Sequence, residues 1–364
     1  MNNHSMDIIL VSFYYDRNIF SGANKRFDET GKFLKRNGYG LRVVVLKGQV
    51  PDWCDDDEAV EFDTTSPGPL RRIELFLKFQ AWLKRIPKSI VISDFMPVPA
   101  RALKKHVHFQ LVHDLRNFTV FHRAKFPFIS RKWQARQWRK SGKMLTVSSF
   151  TRQQLNRFCG IASEDVVVSH NGIDAAYLKQ RTDGERTVDF LYVAHFEQRK
   201  NHPMLIRGLI ELKKRGTQAR TVLMGKDHGT LGEVRKLITE NGLEDWVEIE
   251  GGSFSEEELI AMYLNSKVFV TPAKYEGFGM PIIEAMASGC RICCSDIEVF
   301  HEVAGKKALY FDPDDPMDIA EKLNRSRQQN ADRAGLRTLV ENAFTWDHTL
   351  QPIREQIEKF SKQA

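Results

Sequence analysis

The chain has 364 residues, 42% of them hydrophobic and 28% charged, with a formal net charge of +7 and a pI near 9.0. This length is more than one hydrophobic core usually supports, so about two domains are predicted. No apolar run reaches the roughly 20 residues that span a bilayer, and the N-terminus lacks the pattern of a secretory signal. We therefore expect a cytoplasmic protein whose positive charge favours an anionic partner.

The first half of the chain alternates apolar strands with helices. A strand is predicted at residues 7–13, a helix at 24–36 and a second strand at 41–46, whose near-continuous apolar run is typical of a parallel strand covered on both faces. This pattern indicates a doubly wound, Rossmann-like α/β domain over residues 1–180. Its further strands are predicted at residues 89–93, 109–113, 143–147 and 166–169.

The second half begins after a polar stretch at residues 179–186, which we interpret as a linker. A second Rossmann-like domain is predicted over residues 185–346, and a final helix within residues 347–364 is expected to pack back on the first domain. Two such domains in tandem place ligands beyond the carboxyl ends of both sheets, which we expect to face each other across a cleft. The predicted strands of this half lie at residues 188–193, 220–224, 247–249 and 268–271, and its predicted helices at 203–214, 231–241 and 255–265.

Neither the cysteines nor the aspartate clusters predict a metal site. Cys290, Cys293 and Cys294 fall in the segment 289–295, which we interpret as a buried strand, and no second pair of ligands follows them. The pair Asp312 and Asp314 and the run at residues 55–57 both lie in predicted loops. We therefore expect free thiols, no metal and no organic cofactor.

The most specific local signal is a pair of glutamates, Glu276 and Glu284, on either side of a glycine-containing loop. Pro281 suits the first position of a helix, because its missing N–H would have no partner there. The backbone N–H groups of residues 277–280 then point past a helix N-terminus, which is a ready anion site. Glu284 can accept hydrogen bonds from a ribose diol and Glu276 from sugar hydroxyls, although two solvated surface charges would fit the same spacing.

In these features the chain resembles glycosyltransferase family 4, the retaining enzymes of the two-Rossmann GT-B fold, whose signature is a glutamate, seven residues and a second glutamate. In the second half, residues 192–201 are similar to the strand and lysine motif of the family, and residues 222–225 to its strand that ends in glycine. In the first half the resemblance rests on scattered points, at residues 113–115 and 171–174.

The resemblance implies a hexosyltransferase that uses a GDP- or UDP-sugar and a glycan or lipid-linked acceptor in cell-surface polysaccharide biosynthesis, with mannosyl transfer in lipopolysaccharide assembly as one such activity. The first domain would bind the acceptor and the second the donor. Arg199 and Lys200 would neutralise the diphosphate and Glu284 would hold the ribose. The transferred sugar would lie against Glu276 and the backbone of Gly277, Phe278, Gly279 and Met280.

The resemblance implies a role for three further residues, although two of them depart from the family pattern and the third rests on a less specific signal. His195 stands where the family usually has arginine, and it either takes over part of that phosphate contact or weakens it. Gly22 stands in a loop where two adjacent glycines are common, and it would let the backbone approach the diphosphate. His113 follows a strand and would lie near the acceptor or the transferred sugar. The family mechanism is front-face substitution, which needs no protein nucleophile.

Between Asp114 and Glu164 the chain has no acidic residue, and cations alternate with aromatic residues at 121–143. Trp133 and Trp138 among these cations suit an anionic membrane surface, but a basic helix with its tryptophans in the core fits equally well. We therefore expect a cytoplasmic protein that can bind peripherally to the inner face of the membrane. Two other activities remain open: a sugar-nucleotide epimerase of the same fold, and a nucleic-acid binder, which would leave the glutamate pair unexplained.

Overall fold

The structure is a computed structural model, and it describes residues 6–19, 21–94, 102–119, 127–140, 142–179, 184–329 and 332–362. The strands are β1 Ile8–Val11, β2 Leu41–Leu46, β3 Ala59–Phe62, β4 Ile90–Asp94, β5 Val107–Val112, β6 Lys143–Thr146, β7 Val166–Val168, β8 Val188–Val193, β9 Thr221–Gly225, β10 Val247–Gly251, β11 Ser266–Thr271, β12 Arg291–Ser295 and β13 Ala308–Phe311. The α-helices are α1 Gly22–Arg36, α2 Gly68–Arg85, α3 Pro127–Trp138, α4 Ser149–Cys159, α5 Ala175–Lys179, α6 His202–Lys214, α7 Leu231–Glu240, α8 Glu256–Leu264, α9 Met280–Ala287, α10 Glu298–Ala304, α11 Pro316–Gln328, α12 Arg333–Ala343, α13 Trp346–Thr349 and α14 Gln351–Ser361.

The chain divides into two compact units, each built on one parallel sheet. The first contains Met1–Gly172 and Trp346–Ala364, with strand order β3-β2-β1-β4-β5-β6-β7, and the second contains Ile173–Thr345, with strand order β10-β9-β8-β11-β12-β13. Helices connect the strands, so both units have the doubly wound arrangement. The first unit ends at Gly172, before the polar stretch that we interpreted as the linker, because α5 already packs on α9 of the second unit.

The strands form where the sequence is most apolar. In β8, residues 188–192 are buried, as expected of a central parallel strand. β3 and α2 were not predicted from the sequence. β3 is a short edge strand with half-exposed residues, and α2 carries apolar residues on both its buried and its exposed sides, so neither has a clear period.

One face of the first sheet is covered by α2, α3 and α4. Ile9 lies beside Val91 in the parallel register, and Val91 lies beside His108. Gln110, two residues further along the same strand, lies beside Met144. Alternate residues of a strand share a face, so Ile9, which packs with α2, and Met144, which packs with α3 and α4, point to the same side of the sheet.

Candidate active site

The loop between β11 and α9 carries the glutamate pair. The helix begins at Met280, so Pro281 is its second residue and not the first, as the sequence analysis expected. Proline is tolerated at either position because first-turn N–H groups have no partner within the helix. Gly279 precedes the helix with a φ of 105°, and a Cβ atom there would lie 3.1 Å from the Phe300 ring. This turn therefore favours glycine.

Glu276 is part of a cluster of four charges beyond the ends of β8 and β11, which are neighbours in the sheet. Its Oε2 accepts a hydrogen bond of 2.8 Å from an Arg199 guanidinium nitrogen, and its Oε1 accepts one from Lys200 Nζ. Another Arg199 nitrogen lies 2.7 Å from Oε1 of Glu197. A backbone hydrogen bond of 2.9 Å from Lys274 N–H to the Arg199 carbonyl also joins the two loops. Residues 76 and 77 positions apart in sequence thus form one ionic cluster.

Burial shapes the charge state of this cluster. It disfavours the ionised form of Glu276, but the attraction of Lys200 and Arg199 and their hydrogen bonds outweigh it, so the pKa of Glu276 is lowered. Burial also lowers the pKa of Lys200, while Glu276 acts in the opposite direction. The carboxylate and the ammonium group hold each other in the charged form. An anion close to Lys200 would raise the pKa of Lys200 and favour its charged form further.

Glu284 lies in α9 and is buried against α8. Its Oε2 accepts a hydrogen bond of 2.9 Å from the hydroxyl of Tyr263, which is itself buried. The ring of Tyr177, from α5, lies 6.1 Å from the ring of Tyr263. Burial, and next the charge of Glu284, raise the pKa of the Tyr263 hydroxyl, so the tyrosine remains a donor. Tyr263 thus holds the carboxylate of Glu284 in place.

His195 lies next to a second histidine. Its ring stacks on the ring of His228 with centroids 4.5 Å apart and planes 6° from parallel, and its Nδ1 accepts a 3.4 Å hydrogen bond from the Lys226 N–H. His195 follows β8 and His228 follows the adjacent strand β9, so both lie beyond carboxyl ends of the sheet. Burial, followed by the charges of His228 and Lys200, lowers the pKa of His195.

The other predicted site residues belong to the first unit. His113 follows β5, and its Nε2 lies 2.9 Å from Oδ1 of Asp94, the buried last residue of the neighbouring strand β4. Gly22 is the first residue of α1, and Ser21 caps that helix by accepting a hydrogen bond of 3.2 Å from the Asn24 N–H. Both residues lie beyond carboxyl ends of strands in their own sheet.

The basic and aromatic segment is only partly described: residues 121–126 and 141 lie outside the described residues. Within α3 the two tryptophans have different environments. Trp138 is buried and stacks on Phe118 with ring centroids 5.9 Å apart, whereas Trp133 is 52% exposed. Trp138 is therefore a core residue, and Trp133 is the tryptophan available to a partner.

Two of the aspartates discussed above form ion pairs, and the three clustered cysteines are free thiols. Asp314 pairs with Lys274, and Asp55 with Lys35. Cys290, Cys293 and Cys294 are free and buried, and burial raises the pKa of the Cys290 thiol to about 11. These thiols are therefore protonated at neutral pH.

Two contacts at the candidate site had no sequence signal. Tyr263 precedes Glu284 by 21 residues, and His228 follows His195 by 33 residues. Neither belongs to a motif. Only the packing of α8 on α9 and the adjacency of β8 and β9 bring them to the predicted residues.

Two family models match consecutive parts of the chain. The model described as Glycosyltransferase Family 4 matches residues 20–177, and the model described as Glycosyl transferases group 1 matches residues 176–342. A solved glycosyltransferase from Rickettsia africae superimposes with a TM-score of 0.78 over 99% of both chains at 18% identity. The fold is that of the GT-B glycosyltransferases.

The chain is also similar to characterised relatives. It is 30% identical over 230 residues to O-antigen chain mannosyltransferase B of Escherichia coli, which covers 58% of this chain and 59% of the relative. It is 32% identical over 149 residues to the GDP-mannose:cellobiosyl-diphosphopolyprenol alpha-mannosyltransferase of Xanthomonas oryzae, which covers 40% of this chain and 38% of the relative. The matched regions thus span less than two thirds of either relative. Together with the two family models, they show that the chain belongs to the family-4 type of glycosyltransferases.

No helix among the described residues combines the length and the apolar character needed to cross a bilayer.

Proposed function

We propose that the protein transfers a hexose, with mannose favoured, from a nucleoside diphosphate sugar to a glycan or lipid-linked acceptor in the assembly of an O-antigen type of polysaccharide. The observation that carries this proposal is the largely buried cluster of Arg199, Lys200 and Glu276 beyond β8 and β11. Relatives named as mannosyltransferases support mannose, and one of them, named for GDP-mannose and a diphosphopolyprenol, supports a GDP-sugar and a lipid-linked acceptor.

In the proposed complex, Lys200 and Arg199 bind the diphosphate and Glu284 accepts hydrogen bonds from the ribose hydroxyls. Glu276 and the loop of Gly277, Phe278, Gly279 and Met280 hold the transferred sugar. As the family resemblance implies, Gly22 and His195 are assigned to the diphosphate, and His113 to the acceptor or the transferred sugar. The bond between C1 and the phosphate oxygen breaks, and the acceptor oxygen bonds to C1 on the same face. The acceptor proton passes to the leaving phosphate. This reaction needs no protein nucleophile, because the acceptor oxygen itself attacks C1. It needs no metal, because Lys200 and Arg199 stabilise the charge that develops on the diphosphate.

A direct test is to measure thermal stabilisation by GDP-mannose and by UDP-sugars, and then to follow transfer to a diphosphopolyprenol-linked glycan. A ligand at 100 times its dissociation constant stabilises a protein by about 2.7 kcal/mol. We expect one donor class to stabilise the protein and to yield an elongated acceptor. The proposal would be contradicted if the protein epimerised the donor, or if it hydrolysed the donor at the same rate with and without acceptor.

Replacing Tyr263 by phenylalanine is expected to weaken donor binding by about 3- to 10-fold, because Glu284 loses the hydroxyl that holds it, at about 0.5–1.5 kcal/mol for a hydrogen bond. The effect should appear in donor affinity and KM, with kcat nearly unchanged. Tyr177→Phe is a matched control, since the buried Tyr177 hydroxyl makes no hydrogen bond within the described part of the chain. Equal donor affinities for the two variants would exclude a positioning role for Tyr263.

Donor binding is expected to tighten as the pH falls through the range in which His195 gains a proton, and the lower end of that range lies below the ordinary histidine pKa of about 6.5. Burial and the neighbouring His228, Lys200 and Lys226 lower the pKa of His195, and Glu197 only partly opposes them. A bound diphosphate adds negative charge and raises that pKa, so binding takes up a proton. Calorimetry of GDP in buffers of different ionisation enthalpy measures this uptake.

His195→Gln is the variant for this measurement, and it should lose most of the proton uptake while retaining GDP binding at pH 8. An uptake equal to that of the wild type would assign the proton to another group.

A further inference from the structure

The outer side of α2 carries a stripe of large apolar side chains. Leu70, Ile73 and Leu77 are 58%, 56% and 59% exposed. Their spacing of three and four residues places them on one side of the helix. The opposite side packs on the sheet through residues such as Leu75 and Phe79. Within the part of the chain that the structure describes, nothing covers this stripe.

Cations surround the stripe. The helix contains Arg71, Arg72, Lys78, Lys84 and Arg85, all of them exposed, and a single carboxylate. That carboxylate, Glu74, is 2.7 Å from Lys78 Nζ and accepts a hydrogen bond of 2.9 Å from the Ser66 N–H. Glu74 thus offsets Lys78, and the helix as a whole carries a net positive charge.

The same side of the first unit continues into α3. Because α2 and α3 cover the same face of the sheet, their outer surfaces are turned to the same side of the unit. The exposed residues here include Lys132, Trp133 and Arg136 on α3, and Arg139 and Lys140 in the turn directly after it. An apolar stripe on one helix and a cationic surface with one exposed tryptophan on the other thus share one side.

We propose that this side of the first unit docks on an anionic lipid surface, with Leu70, Ile73 and Leu77 of α2 inserted at the level of the headgroups. Apolar residues flanked by lysine and arginine are the combination that binds interfacial lipid. A second copy of the chain fits less well, because a two-fold interface would place these cations against the same cations of the other copy. From the sequence, residues 121–143 were predicted to contact the membrane, and we now place the apolar part of that contact on α2.

Docking of this side on lipid does not depend on the donor site. The test is sedimentation of the whole chain with vesicles of phosphatidylcholine, with and without phosphatidylglycerol, at low and high salt. We expect binding only to the anionic vesicles, with a partition coefficient that falls at least tenfold at high salt.

Replacing Leu70, Ile73 and Leu77 together by serine should lower the partition coefficient at least tenfold and leave the thermal melting point and GDP binding unchanged, because these side chains are exposed. Met317→Ser is the matched control, since it removes a 51% exposed apolar side chain from the second unit and should bind vesicles like the wild type.

A second variant tests the charges. Changing Arg71, Lys84 and Arg85 to glutamine should remove most of the salt dependence. Changing Lys132 on α3, together with Arg139 and Lys140 in the turn after it, to glutamine should have a smaller effect.

Three outcomes would overturn the proposal. The first is that the wild type fails to sediment with anionic vesicles, and the second is that the triple serine variant binds them as tightly as the wild type. The third is that the serine changes convert a dimer into a monomer in sedimentation velocity without affecting lipid binding. That result would make the stripe a self-association surface. GDP binding measured on the same preparations separates each of these results from a failure of the proposed donor site.

Discussion

Lys200→Ala is expected to lower turnover by about 100-fold or more, because it removes a buried charge that we place against the leaving diphosphate. Negative charge grows on the phosphate oxygens as the bond to the sugar breaks, so a fixed ammonium group stabilises the transition state more than the bound donor. The loss should therefore appear mainly in kcat. Steady-state transfer with saturating donor measures it.

The fold should persist in this variant, since Glu276 keeps its hydrogen bond of 2.8 Å from Arg199. Lys236→Ala is the control, because Lys236 is exposed on α7 and pairs only loosely, at 3.7 Å, with Glu240. A Lys200→Ala variant that retains more than about a tenth of wild-type turnover would rule out this role, because loss of one such stabilising group costs about 100-fold or more.

Glu284→Ala is expected to weaken donor binding by about 10- to 100-fold. A hydrogen bond to a charged group contributes about 1.5–3 kcal/mol, and the ribose diol would lose its carboxylate acceptor in a buried position. The variant also leaves the buried Tyr263 hydroxyl without Glu284, so a lower melting temperature should accompany the weaker binding. Calorimetry with GDP measures the affinity directly.

Glu284→Gln separates these two effects. Its amide oxygen can still accept a hydrogen bond from Tyr263, so stability should recover, whereas the affinity for GDP should remain low because the charge is gone. Glu240→Ala, at an exposed position of α7, is the matched control and should bind GDP like the wild type. Wild-type GDP affinity in both Glu284 variants would show that the ribose is held elsewhere.

Much of the fold could be predicted from local pattern. Strands such as β2 and β8 are buried on both faces and therefore consist almost entirely of apolar residues. The helix after the glutamate loop was also predicted, apart from the position of its first residue. By contrast, β3 and α2 were missed, because an edge strand and a helix with apolar residues on two sides both lack a single period. That second apolar side of α2 is the exposed stripe.

The two parallel α/β halves, the family and the identity of the glutamate pair could be predicted from the sequence, because these follow from residue types at short, fixed spacing. The packing of strands and helices establishes which groups meet: Arg199 and Lys200 with Glu276, Tyr263 with Glu284, and His228 with His195. It also decided that Trp138 is buried while Trp133 and the α2 stripe are exposed. The physical reason is that side-chain charge state, hydrogen bonding and exposure depend on neighbours brought together by strand order and helix packing, and those neighbours lie tens of residues away in the chain.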